Sequence, residues 1–278
     1  MSTTASSASA RVHRFEPPIN PEGVPEYFMG IRDINFDRAD TVALLETGPW
    51  LTWDGREVTP GSLGVLFDNI LAYPMINGSS ADTSLVSSQI TIDVLNPIHH
   101  DAGSMSARGS LLTRDEHTAF AAGEVRNADG VLVAVGTQRA RYIPYVEPPP
   151  YDYQSVSART STSTLVDLVW PDGDVPQLGN DGRLPVPVAP RLGNHVDNMH
   201  GGISLLLAEW SAIAAARAVG SALTPASIRI FYARPIPVGS IATFETSVLH
   251  AGRTSAAVDV VGRTAAGKCG VAASLTLH

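Results

Sequence analysis

The chain has 278 residues, 44% of them hydrophobic and 17% charged, so it is long enough and apolar enough to bury a sizeable core. Its 27 Asp and Glu residues outnumber its 19 Lys and Arg residues, and the net charge of −8 argues against nucleic acid or anionic lipid as a partner. A single cysteine, Cys269, excludes an intrachain disulfide and a cysteine-based metal site.

The N-terminal segment, residues 1–15, has no hydrophobic core of signal-peptide length, and Pro17 and Pro18 follow it. We therefore expect a disordered N-terminal arm. The apolar runs of the chain are shorter than a membrane span, so we expect no membrane span. The single cysteine and the missing signal peptide together predict a cytoplasmic location.

Two segments predict long buried helices that each contain one acid. They are residues 59–74, TPGSLGVLFDNILAYP, and residues 200–215, HGGISLLLAEWSAIAA. Asp68 lies nine positions after the start of the first segment, and Glu209 lies nine positions after the start of the second. Because burying an unpaired carboxylate is costly, each acid needs a specific partner or a function. Both are therefore candidate catalytic residues.

Strand-like segments follow each helix and predict an α+β fold built twice. LVSSQITIDVLNPI and ASIRIFYARPIPVG both break at a proline, and alternating segments with turn signals come after them. Each half is predicted as one long buried helix followed by about four antiparallel strands. The domains predicted on this basis are an N-terminal unit at 16–147, a Pro/Gly-rich linker at 148–189 and a C-terminal unit at 190–278.

Four motifs of the second half resemble the phenylacetyl-CoA thioesterase-like branch of the hotdog superfamily. They are NHVDNMHGG (194–202), Glu209, FYARPIPVG (231–239) and AGR (251–253). The first half resembles this branch only through its spacing, since Trp53 replaces the family's Asn and Thr59 replaces its His. The resemblance implies a double hotdog, with two long buried helices each wrapped by an antiparallel β-sheet, and a degenerate helix start in the first half. It also allows a homodimer of such double hotdogs.

The activity that the resemblance implies is hydrolysis of an acyl-CoA thioester to a free acid and coenzyme A, without a metal or redox cofactor. A helix carboxylate acts as general base or as nucleophile, and apolar surroundings should raise its pKa. The helix N-terminus supplies the oxyanion hole. The expected catalytic residues are Asp68, Glu209, Asn194, His200 and Gly201.

The paired arrangement of two hotdogs predicts one good site and one crippled site. Asn194, His200 and Gly201 would face Asp68, whereas Glu209 would face the degenerate start around Thr59 and Gly61. Further residues are expected to bind substrate: Gly202 by allowing close approach to the backbone, Ser227 and Thr224 by hydrogen-bonding the water or carboxylate, and Arg234 and Arg253 by meeting coenzyme A phosphates.

Two alternatives remain open at this point. DVLNPIHHD (93–101) resembles a motif of hotdog enoyl-CoA hydratases, although its acid stands three positions before Asn96 instead of two. A non-catalytic acyl-CoA binding protein would carry two decayed sites. The HHD stretch at 99–101 is interpreted as a solvated loop, because adjacent side chains of an extended segment point to opposite faces and do not converge on a metal.

Overall fold

The computed structural model describes residues 12–14, 24–37, 40–55, 58–101, 103–147 and 159–278. The predicted N-terminal arm therefore lies largely outside the described residues. In its described part, Val12 forms an antiparallel bridge with Ser80, and Nε2 of His13 donates a hydrogen bond to the carbonyl oxygen of Thr83 at 2.9 Å. None of the helices in these ranges has the length and apolar character needed to cross a membrane.

The described chain contains four α-helices and eleven strands, with one long helix and its following strands in each half. The helices are α1 (Val24–Met29), α2 (Gly64–Ile76), α3 (Leu165–Val169) and α4 (Gly201–Ala218). The strands are β1 (Ile31–Asp37), β2 (Asp40–Glu46), β3 (Thr83–Val94), β4 (Ser104–Arg114), β5 (Thr118–Arg126), β6 (Leu132–Pro144), β7 (Arg183–Pro187), β8 (Pro225–Tyr232), β9 (Ile241–Ala251), β10 (Ala256–Arg263) and β11 (Cys269–Leu277). They form one antiparallel sheet in the order β1-β2-β4-β5-β6-β3-β8-β11-β10-β9-β7.

The sheet consists of two halves that are joined where β3 pairs with β8. Ile90 lies opposite Ile230 and Ile92 lies opposite Ile228 across this seam, and all four side chains are fully buried. Because alternate residues of a strand point to opposite faces, the residues between these isoleucines point away from the helices. The core is therefore continuous across the two halves.

The two long helices are buried because they are apolar on nearly all sides, as in helices enclosed by other elements. They touch each other through glycines near their N-terminal ends. A Cβ atom on Gly202 would lie 2.3 Å from the backbone nitrogen of Val65, and one on Gly64 would lie 2.7 Å from the carbonyl oxygen of Gly202. This backbone contact places the start of each helix beside the other helix.

The segment predicted as a linker, 148–189, contributes two elements to the fold, although 148–158 lies outside the described residues. Its α3 begins with the Leu165 amide donating to the carbonyl oxygen of Thr52 at 2.9 Å. Its β7 pairs with β9 at the edge of the sheet, where the prolines of RLPVP are tolerated because no further strand needs their missing N–H groups. The second half thus includes a strand that precedes residue 190.

Candidate active site

Asp68 lies on α2, with one carboxylate oxygen held by two side chains from the sheet. Its Oδ1 accepts hydrogen bonds from Ser87 Oγ on β3 and from Gln138 Nε2 on β6, both at 2.9 Å. Gln138 Nε2 also lies 2.6 Å from Ser87 Oγ. The Gln138 side chain is fully buried, and that of Asp68 is 14% exposed. The orientation of the Asp68 carboxylate is therefore fixed from one side.

The other oxygen of Asp68 faces the N-terminal end of α4. Oδ2 lies 3.4 Å from Nδ1 of His200, and a Cβ atom on Gly201 would lie 2.5 Å from the same oxygen. The Gly201 amide has no acceptor among the described residues, whereas the Gly201 carbonyl accepts a hydrogen bond from Tyr232 Oη at 2.8 Å. A carboxylate oxygen and a free helix N-terminal N–H group thus meet at one place.

His200 is the N-cap of α4, and both of its ring nitrogens have neighbours. Nδ1 accepts a hydrogen bond from the Gly202 amide at 3.0 Å, and Nε2 lies 3.3 Å from Oε1 of Glu26 on α1. Burial by itself would lower the pKa of His200, but the carboxylates of Glu26 and Asp68 outweigh burial and raise it. Burial would likewise raise the pKa of Glu26, but the charge and hydrogen bond of His200 outweigh it and lower that pKa.

Glu209 on α4 occupies a different environment from Asp68. It is fully buried, its Oε1 accepts the Gly61 amide at 2.8 Å, and its Oε2 accepts the hydroxyl of Thr59. Burial raises the pKa of Glu209 to about 7, although these two hydrogen bonds lower it in part. The donors at the start of α2 are therefore used by the acid itself.

Three tryptophans pack together next to Glu209. The ring centroids of Trp53 and Trp210 are 4.5 Å apart, and Trp170, which follows α3, lies 6.0 Å from Trp53 and 5.8 Å from Trp210. Trp53, the residue in place of the family's Asn, and Trp170 are both almost fully buried. This aromatic cluster occupies the surroundings of the second acid.

Asn194 and Gly202 have structural neighbours that account for their presence. Asn194 Oδ1 accepts hydrogen bonds from the amides of Val196 and Asn198, both at 3.1 Å, so it shapes the loop before α4. Gly202 packs against the backbone of α2, as described above. The missing side chain of Gly202 makes room for Val65, and its expected role in the approach of a ligand stays a prediction.

Two other predicted substrate-binding residues lie away from Asp68. Ser227 on β8 pairs with Asp93 of β3, and it points away from the helices because its neighbour Ile228 is buried. Thr224 exchanges backbone hydrogen bonds with His278 at 3.1 and 3.0 Å. Ser87 holds Oδ1 of Asp68, and the expected role of Ser227 and Thr224 at the water or carboxylate stays a prediction.

The two predicted phosphate-binding arginines lie in loops of the second half. Arg234 donates a hydrogen bond to the carbonyl oxygen of Cys269 at 3.1 Å, two residues beyond the Tyr232 that contacts the start of α4. Arg253 is exposed between β9 and β10. Neither contacts Asp68 or His200 in the described ranges, so their binding role stays a prediction.

The residues of DVLNPIHHD are not brought to Asp68. Asp93 lines a groove on the sheet face opposite the helices, together with Arg108. His99 is exposed, and His100 is partly buried. Across the ranges that the structure describes, no three His, Cys, Asp or Glu side chains are grouped so that they could hold a metal ion.

Three residues of this neighbourhood escape sequence reasoning: Ser87, Gln138 and Glu26. Gln138 has a recognisable signal, since it is a polar residue on the buried face of an otherwise small and apolar strand. Glu26 has a weaker one, as an acid among the apolar residues of VPEYFM. Ser87 has none, because a β-bulge decides its direction.

That bulge lies between β3 and β6. Ser87 pairs with Ala140 and Gln89 pairs with Arg139, so Ser88 is an extra residue without a partner. The side chain of Ser88 turns outward and donates to the carbonyl oxygen of Arg139 at 3.0 Å. Strict alternation from the buried Ile90 would place Ser88 inside; the bulge places Ser87 there instead.

Comparison with known proteins assigns the architecture. A family model described as the thioesterase superfamily matches residues 197–271, from the loop before α4 into β11. The tesB protein of Mycobacterium avium subsp. paratuberculosis superposes with a TM-score of 0.61 at 10% identity, covering 92% of this chain and 97% of its own. The chain has the double hotdog fold. The predicted architecture is therefore confirmed.

Two more double hotdogs superpose over both halves. Acyl-CoA thioesterase II TesB2 of Mycobacterium marinum gives a TM-score of 0.58 at 10% identity and covers 91% of this chain and 96% of its own. The 12:0-ACP thioesterase of Umbellularia californica gives 0.60 at 9% identity and covers 86% and 94%. At these low identities, the superpositions show a shared fold alone. No curated protein matches the sequence.

Proposed function

We propose that this double hotdog is an acyl-CoA thioesterase whose working site is centred on Asp68. The observation that carries the proposal is the environment of its carboxylate. Ser87 and Gln138 hold Oδ1, while Oδ2 faces the start of α4, where the Gly201 amide has no acceptor in the described structure. A positioned carboxylate beside an unused helix N-terminal donor suits hydrolysis of an activated carbonyl.

In the proposed reaction, the thioester carbonyl oxygen accepts the Gly201 N–H group at the positive end of the helix dipole. Asp68 Oδ2 removes a proton from a water molecule, whose oxygen forms a bond to the acyl carbon. The carbon–sulfur bond then breaks, and the proton held by Asp68 passes to the departing sulfur, so that coenzyme A leaves as a thiol. Oδ2 is the oxygen that accepts the proton in this scheme, because Oδ1 is already occupied by two donors.

The second acid is proposed to have no catalytic role. Glu209 accepts the Gly61 amide and the Thr59 hydroxyl, so the α2 start has given its donors to the acid. The tryptophans beside it support a structural role.

The substrate class is proposed from the relatives and from the sequence motifs. The solved relatives include proteins named as an acyl-CoA thioesterase and as a 12:0-ACP thioesterase. NHVDNMHGG and the motifs that follow it favour the phenylacetyl-CoA thioesterase-like branch, so aromatic acyl-CoAs belong in any substrate test. Carrier-protein thioesters form the comparison arm.

The test is the initial rate of free-thiol release from short, medium, long and aromatic acyl-CoAs. We expect D68N to lose about a hundredfold or more of the wild-type rate, because the base is removed, and we expect E209Q to retain it. Retained activity in D68N with loss in E209Q would move the working acid to the second half. Tight acyl-CoA binding without thiol release would instead indicate a binding protein.

A further inference from the structure

The side chain of Glu26 is nearly buried against His200. Oε1 lies 3.3 Å from Nε2 of His200, and the side chain is only 12% exposed. Its second oxygen, Oε2, is buried and has no hydrogen-bond donor among the described residues. A buried carboxylate with so few donors requires a compensating positive charge, and the imidazole of His200 is the neighbour that can provide it.

The position of Glu26 depends on how Arg159 anchors α1. Arg159 Nη1 donates to the carbonyl oxygens of Tyr27 at 2.6 Å and Phe28 at 3.3 Å. The same guanidinium binds the carboxylate of Glu46 and lies 4.1 Å from the ring centroid of Trp50. These contacts fix the C-terminal end of α1 against β2.

Glu26 is also connected to the helix that carries Asp68. Asn69, the next residue of α2, places its Nδ2 3.4 Å from Glu26 Oε1 and donates to the carbonyl oxygen of Val65 at 2.9 Å. Glu26, His200 and Asp68 therefore form a row, with the imidazole between two carboxylates. Because the imidazole lies between them, both carboxylates interact with the charge of His200.

We propose that Glu26 is a positioning residue of the hydrolysis and acts through His200. By accepting the Nε2 proton, it fixes the ring so that Nδ1 is presented to the Gly202 amide and to Asp68. A carboxylate that orients a histidine in this way selects its tautomer and stabilises its protonated form. This role rests on the proposed thioesterase function.

The row accounts for the proton that moves during hydrolysis. Water gives this proton to Asp68 as its oxygen bonds to the acyl carbon, and the thiolate takes a proton when the carbon–sulfur bond breaks. Asp68 Oδ2 and His200 Nδ1 are 3.4 Å apart. When Nδ1 gives up its hydrogen bond from the Gly202 amide, the ring can take this proton from Asp68 and pass it to the thiolate. The negative charge of Glu26 stabilises the imidazolium during that interval.

Two carboxylates act on the charge of His200, which in turn acts on His195. Glu26 on α1 and Asp68 on α2 raise the pKa of His200, against the effect of burial. His195, in the loop before α4, interacts with it as a like charge, and burial together with His200 lowers the pKa of His195. Removing the charge of Glu26 should therefore lower the pKa of His200, while Asp68 and His195 stay in place.

The experiment compares E26Q with E46Q by two readouts. The first is an NMR titration of ring-labelled histidine, with the His200 signal identified by its absence in H200Q. The second is kcat and KM for acyl-CoA hydrolysis as a function of pH. E46Q is the matched control, because it removes a carboxylate that anchors α1 but does not face His200.

For E26Q we expect a lower pKa of His200, a kcat reduced about tenfold or more, and a KM that changes little. E26D, which keeps the charge, should restore part of the rate and of the His200 titration. E46Q should lower Tm and leave both pH profiles in place. If E26Q does not fold, the same two readouts are compared between E26D and E46Q. A change in the His200 titration and in kcat that appears in E26D alone then supports the role of Glu26.

Three results overturn the inference, and they are distinguishable. Unchanged His200 titration and unchanged kcat in folded E26Q show that Glu26 does not act on the histidine. The same holds if E46Q shifts both profiles as much as E26Q, because the effect then comes from loosening α1. A wild-type protein that hydrolyses no thioester removes the proposed function, and the role of Glu26 with it.

Discussion

Replacing Glu209 by glutamine should stabilise the protein at pH 8 and much less at pH 5. Burial raises the pKa of Glu209 from 4.5 to about 7 in the folded chain. Because the pKa of Glu209 is higher in the folded than in the unfolded chain, protonated Glu209 contributes its full stabilisation below pH 4.5, where it is protonated in both. This contribution is lost as the pH rises towards 7. The interval from 4.5 to 7 corresponds to on the order of 3 kcal/mol.

Glutamine fits the site because each of its amide atoms finds a partner. The amide oxygen can accept the Gly61 N–H group in place of Oε1. The amide nitrogen can donate to the Thr59 hydroxyl, whose own proton turns to Ser62 Oγ at 3.1 Å, an interaction in which either oxygen can donate. The substitution therefore removes the charge and keeps one hydrogen-bond partner for each of the two amide heavy atoms.

The assay is urea unfolding at several pH values between 5 and 8, followed by tryptophan fluorescence, to which Trp210 beside the substitution should contribute. E116Q, at a carboxylate whose side chain is 84% exposed, is the control and should follow wild type at every pH. We expect the wild-type free energy of unfolding to fall relative to E209Q as the pH rises. Parallel curves, or an E209Q that is less stable at pH 8, would refute the argument.

Further predictions concern the Asp68 site and the helix contact. S87A should lower kcat about tenfold with little change in KM, because Oδ1 of Asp68 then keeps only Gln138 as a donor; steady-state thiol release measures this, and an unchanged kcat would contradict it. G202A should lower the free energy of unfolding by about 1–3 kcal/mol, because its Cβ would lie 2.3 Å from the Val65 nitrogen. Denaturant unfolding measures this, and a curve that matches wild type would contradict the close contact. A single turnover in ¹⁸O-labelled water should put the label into the acid product; mass spectrometry that finds it in Asp68 would show direct nucleophilic attack instead.

The two helices and their acids could be predicted because they depend on local patterns. An apolar run with one carboxylate, at the same distance from two helix starts, indicates where Asp68 and Glu209 lie in their helices. A fold in which the start of one helix meets the other helix then brings Gly201 to Asp68 and Gly61 to Glu209. Local pattern and paired architecture were sufficient for this part of the site.

The partners of Asp68 could not be predicted, because they depend on strand register. Ser87 and Gln138 are 51 positions apart and lie on neighbouring strands. The bulge at Ser88 reverses which serine points inward, and a bulge leaves no periodic signal in a single strand. Ser227 and Thr224, the hydroxyls expected to bind the water or carboxylate, lie on β8 and in the turn before it.

Glu26 was missed for a different reason. It belongs to a short helix of six residues, which is too brief to show a periodic pattern, and its partner His200 lies in the other half of the chain. Only the packing of α1 against the start of α4 relates the two. Contacts of this kind between distant segments are decided by tertiary structure.

Having both halves in one chain changes what a substitution does to the two acid sites. In a symmetric pair of identical subunits, every replacement would occur twice, so altering one site would alter the other. Here Trp53 and Thr59 have no copy in the second half, and Asn194 and His200 have none in the first. Because the two halves are covalently fused, Glu209 can pack beside tryptophans while Asp68 faces the start of α4. A homodimer could not make its two acid sites different in this way.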